Sequence, residues 1–88
     1  MAWLGSELND RDCEQARRMI RQYGEWLRAN EPSQSLQEDL VCHRLRSLLS
    51  ELLFAVDERD RAAARRVMVS IPPVAEKLAY LWVERGAR

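Results

Sequence analysis

Glycine, proline, cysteine and histidine are all scarce in this 88-residue chain, with three, three, two and one copies respectively. Gly5, Gly24 and Gly86 are too widely spread to build a phosphate-cradling loop, and neither G-x-G-x-x-G nor G-x-x-x-x-G-K-[ST] occurs. H-E-x-x-H and G-x-S-x-G are missing too, which removes the usual patterns of zinc-dependent and nucleophile-elbow hydrolysis. Cys13, Cys42 and His43 lack the spacing of a zinc site, and two cysteines without a secretory signal read as buried thiols rather than a disulfide framework. Neighbours on a helix point about 100° apart, so Cys42 and His43 cannot form a thiolate–imidazole dyad with each other. No catalytic residue, metal ligand or cofactor site is assigned.

Long apolar runs are also lacking. None approaches the roughly 20 residues needed to cross a bilayer, and the opening MAWLGSELND has neither the basic start nor the apolar centre of a signal peptide. A cytoplasmic protein with no membrane partner is expected. Acidic and basic residues balance at 14 each, so no global field draws the chain toward nucleic acid or an anionic surface. Thirteen of the fourteen basic residues are arginine, Lys77 being the exception, a bias that a GC-rich genome explains as readily as bidentate recognition does.

What remains is abundant apolar sequence, 47% of the chain, arranged with helical period and with no run that alternates like a strand. The fold class is all-α. A single domain spanning 1–88 is expected, a compact bundle of three to four helices at approximately 9–30, 35–57, 60–70 and 73–86. A chain of this size buries only about 60–65% of the surface its unfolded form exposes, so its own core is modest.

The central stretch Leu36–Val56 organises the rest. It places Val41, Cys42, Leu45, Leu48, Leu49, Leu52, Leu53, Ala55 and Val56 on one broad face. Ser35-Leu36-Gln37-Glu38 has the S-x-x-E form in which serine and glutamate satisfy each other's backbone donors, marking the start. Before it, Asn9 caps a helix whose inward residues are Cys13, Ala16, Met19, Ile20, Tyr23, Trp26 and Leu27, with Leu8 placed to staple onto Cys13. Gly24 within this helix marks either a close crossing or a tolerated surface position. Trp3 and Leu4 form a short apolar pair that is expected to lie against the bundle or a neighbouring subunit. After the turn at 57–60, Asp60 caps a helix burying Ala63, Ala64, Val67 and Ile71. Pro72 and Pro73 cannot donate to the carbonyls four residues back, so they predict either a break, with a fourth helix starting at Pro73, or one kinked helix. Val74, Leu78, Leu81 and Trp82 form the inward side of this last segment, which stops at Gly86.

Two sets of residues exceed the needs of folding. On the outer side of the central helix Leu36, Leu40, His43, Ser47, Ser50 and Phe54 recur at alternating spacings of four and three, forming a second seam. Small serines at its centre and apolar residues at its ends suit helix-on-helix contact, and Tyr80 and Val83 on the last helix are the fallback surface. The seam predicts a homodimer that weakens when His43 is protonated beside its symmetry mate, an effect that a local Asp39–His43 pair would blunt. The second set is arginine: Arg17, Arg18 and Arg21 on the first helix, and Arg61, Arg65 and Arg66 on the third. Phosphate backbones are bound by such groups, but here they are interleaved with acids, with Glu14 four residues before Arg18 for a surface pair. A non-enzymatic protein–protein interaction module is therefore the leading expectation, an adaptor, inhibitor or regulatory subunit of the kind that bacterial, phage or plasmid accessory proteins often are. A nucleic-acid-binding regulator ranks second, and a cofactor-free bundle enzyme using arginines to stabilise an anionic transition state ranks third.

Overall fold

A computed structural model describes residues 7–30, 32–84 and 86. Among the described residues three helices follow in order, α1 Asp10–Ala29, α2 Leu36–Asp57 and α3 Arg61–Glu84. They form an elongated bundle of about 52 × 17 × 16 Å in which α2 packs against both neighbours. Short connectors make each successive pair antiparallel, so the α1–α2 connector and the C-terminus of α3 share one end. The start of α1 meets the α2–α3 turn at the other. Trp3 and Leu4 lie outside the described residues.

Each helix starts where its cap predicts. Asn9 Oδ1 accepts from the Asp12 amide at 2.8 Å, Ser35 Oγ from the Glu38 amide at 3.1 Å, and Asp60 Oδ1 from the Ala63 amide at 3.1 Å. These bonds satisfy donors that the first turn of a helix leaves unpaired. Leu8 and Cys13, the two staple positions, are both buried in the core.

The core is one cluster running the length of α2, from Val41 and Leu45 through Leu49 and Leu52 to Val56. α1 contributes Cys13, Ala16 and Leu27, and α3 contributes Ala64, Val67, Ile71, Ala75, Leu78 and Trp82. Leu53, expected inside, is 45% exposed. It stands at the margin of the inward face. Gly24 tolerates a methyl group, since an added Cβ would lie 3.7 Å from the Arg28 guanidinium, so no close crossing requires it.

α3 is continuous through Pro72 and Pro73, and the step that could have separated two helices lies inside one. Val67, Ile71, Ala75, Leu78 and Trp82 keep a spacing of four or three across the prolines and are all buried, so the inward face passes through that step without a change of phase. Both prolines are exposed. The ring clash and missing donors that disfavour interior proline therefore fall on the solvent side, while packing holds the opposite side in register.

Candidate interaction surface

The outer stripe of α2 follows directly from the helix geometry. Leu36 is 75% exposed, Leu40 60% and Phe54 67%, and His43, Ser47 and Ser50 between them are exposed as well. These six positions lie on one line because steps of three and four residues return to nearly the same azimuth. Asp39 and His43 are both exposed, with no bond between them in the structure. On α3, Val69, Tyr80 and Val83 form another exposed apolar stripe on that helix's outer side, beside a shallow depression lined by Pro72, Pro73 and Tyr80.

A feature that the wheel of a single helix cannot reveal lies next to the α2 stripe. The second half of α2 and the first half of α3 enclose a groove of about 560 Å³. Phe54, Ala55, Ala63 and Val67 provide its apolar lining, Glu51, Glu58 and Asp60 its acids, and Arg66 its one basic residue. Ser50 and Phe54 belong to both the stripe and the groove.

The arginines divide. Arg17, Arg18 and Arg21 are exposed and border one depression of about 340 Å³ together with Asp10 and Glu14, and Arg18 pairs with Glu14 at 3.5 Å. On α3, Arg65 is exposed and Arg61 partly buried, whereas Arg66 turns into the acidic groove. The two trios therefore do not form one basic surface.

The thiols are separated by the hairpin. Cys13 lies in the first turn of α1 and Cys42 in the second turn of α2, toward opposite ends of the bundle, and both are buried and free. The Ser33 hydroxyl approaches Cys42 Sγ at 3.8 Å. No group of three His, Cys, Asp or Glu is arranged to hold a metal ion among the described residues, and none of the helices is long and apolar enough to cross a membrane.

Two structural residues escape the sequence reading. Glu38, only 3% exposed, is the one buried charged side chain among the described residues, and its Oε1 accepts from Trp82 Nε1 at 3.0 Å. Arg59 takes the left-handed conformation, φ 54°, at the end of α2. Its amide donates to the Val56 carbonyl at 3.1 Å and the Asp60 amide to the Ala55 carbonyl at 2.9 Å, the paired bonds of a Schellman turn. An S-x-x-E motif points to Glu38 but not to its partner 44 positions away, and nothing in the local sequence marks Arg59.

No family model, curated protein or solved structure matches the chain.

Proposed function

We propose that this chain is a non-catalytic protein–protein interaction module, an adaptor, inhibitor or regulatory subunit working in the cytoplasm, that pairs with a second copy of itself through the outer stripe of α2. The observation carrying this reading is the exposure of Leu36, Leu40 and Phe54 on the central helix, which already packs against both neighbours on its inward side. Large apolar side chains aligned along a helix and left to water favour coverage by another surface. Serines 47 and 50 between them allow close approach, and a twofold axis near Ser47 would make the contact self-complementary. Tyr80 and Val83 are the alternative surface.

A nucleic-acid role for Arg17, Arg18, Arg21, Arg61, Arg65 and Arg66 has less support, because Arg18 is engaged by Glu14 and Arg66 lies among three acids. Sedimentation equilibrium tests the leading reading. The native protein should be dimeric, and Ser47→Arg and Phe54→Glu should each shift it to monomer without loss of helical signal. A monomeric native protein overturns self-association, and dimers indifferent to both substitutions move the interface to the Tyr80 and Val83 side.

A further inference from the structure

The groove beside the stripe has a chemistry of its own. Its lining runs over two turns of α2, from Ser50 to Glu58, roughly 12 Å at 1.5 Å per residue. Phe54 is two-thirds exposed at its edge, and Ala55, Ala63 and Val67 keep the floor apolar and shallow. Glu51, Glu58 and Asp60 outnumber Arg66, giving a net formal charge of about −2. Asp60 also caps α3 through the Ala63 amide, which fixes its carboxylate at the groove.

We infer that this groove receives a short amphipathic helix with lysine or arginine on its flanks, presented by another protein. This rests on the interaction-module reading and names the partner's chemistry. The walls decide the partner's backbone conformation. Both are helices, whose interior amides and carbonyls are bonded within the helix, so they offer no edge for an extended peptide to pair with. An extended segment would leave its own backbone groups unpaired over an apolar floor. A helix brings its backbone bonds with it, presents two turns of apolar side chains to Phe54 and Val67, and reaches the acids with cations from its flanks. The same acids repel nucleic acid and anionic lipid. Because Phe54 and Ser50 also belong to the outer stripe of α2, a bound helix and a second copy compete for them.

The test is fluorescence anisotropy of the full chain with a labelled, capped peptide of leucine and lysine, about four turns long so that it is helical enough to dock. A matched probe carries glutamate at every lysine position. Protein is held at concentrations where sedimentation shows monomer. The lysine probe should bind with an affinity that falls as salt rises, and the glutamate probe should not. Phe54→Ala, and separately Glu51→Lys combined with Glu58→Lys, should each weaken binding about tenfold or more, while Glu25→Lys on the exposed side of α1 should leave it unchanged. Circular dichroism confirms that each variant remains helical. Equal binding of both probes, or binding indifferent to the double charge reversal, overturns the inference. Absence of lysine-probe binding also overturns it, and where the native dimer is broken by Phe54→Glu that result assigns Phe54 to self-association alone and leaves the proposed function intact.

Discussion

The two ends of the bundle are closed by different chemistry. At the end where α1 begins, backbone and one flexible cation make the connection: the Leu8 amide donates to the Arg59 carbonyl at 3.3 Å, the Arg59 guanidinium donates to the Leu8 carbonyl at 3.2 Å, and Glu7 bridges to Asp60. At the opposite end, rings and a buried carboxylate do so. Trp26 of α1 meets Trp82 of α3 edge to face, with centroids 4.7 Å apart, Tyr23 meets Trp26 in the same manner, and Trp82 donates to Glu38 of α2. All three helices therefore converge on one indole. The difference lies in the polar groups: Glu7, Arg59 and Asp60 are exposed, so a bond lost among them can be replaced by water, whereas the Glu38–Trp82 bond is buried and cannot be replaced in that way.

Trp82→Ala should produce the largest loss, about 3–5 kcal/mol, because it removes a buried ring and leaves a carboxylate without its indole donor. Chemical denaturation measures it, and a loss below about 1 kcal/mol would mean that the aromatic end is not a closure at all. Trp82→Phe separates the two contributions, keeping most of the ring while deleting the N–H. A cost of about 1–3 kcal/mol is expected, and a double-mutant cycle with Glu38→Gln should show coupling between the positions. At the other end, Arg59→Ala should cost only about 1 kcal/mol, and Arg59→Gly less, since glycine relieves the left-handed backbone while losing the same guanidinium contacts. The guanidinium's 3.4 Å pair with Asp10, whose side chain is 98% exposed, contributes little to either figure. If Arg59→Gly costs as much as Arg59→Ala, relief of the left-handed backbone contributes nothing, and if both cost about 3 kcal/mol or more, the guanidinium hook matters as much as the aromatic end and the contrast between the ends narrows.

Local rules made most of the fold legible. Asn9, Ser35 and Asp60 could be named as caps because a cap and the amide it accepts from are three residues apart. The inward faces followed from period, Leu53 apart, and so did the exposure of Leu36, Leu40, Phe54, Tyr80 and Val83. Legibility failed where a decision belongs to two helices at once. A wheel puts Leu53 on the inward face and does not show that its flank is left exposed. It shows two prolines but not that Val67, Ile71, Ala75 and Leu78 hold one phase across them. The buried state of Glu38 depends on an indole far along the chain, and the turn at 57–60 was legible without its left-handed residue, because Arg59 stands where glycine would have marked it. The same limit applies to the candidate surface. Its α2 stripe was visible from spacing, whereas the acidic groove exists only because α3 places Ala63, Arg66 and Val67 beside Phe54.

The proline pair in α3 has a consequence for time rather than shape. Pro72 and Pro73 carry no amide hydrogen, so the carbonyls of Met68 and Val69 receive no bond from four residues on, and the ladder of exchangeable protons is interrupted between Ile71 and Val74. Fraying that starts beside the tryptophans meets a gap in the ladder before it reaches the half of α3 that lines the groove. Deuterium uptake should therefore divide α3 into two blocks with separate opening rates, each set by its own side-chain packing, even though the helix is geometrically one.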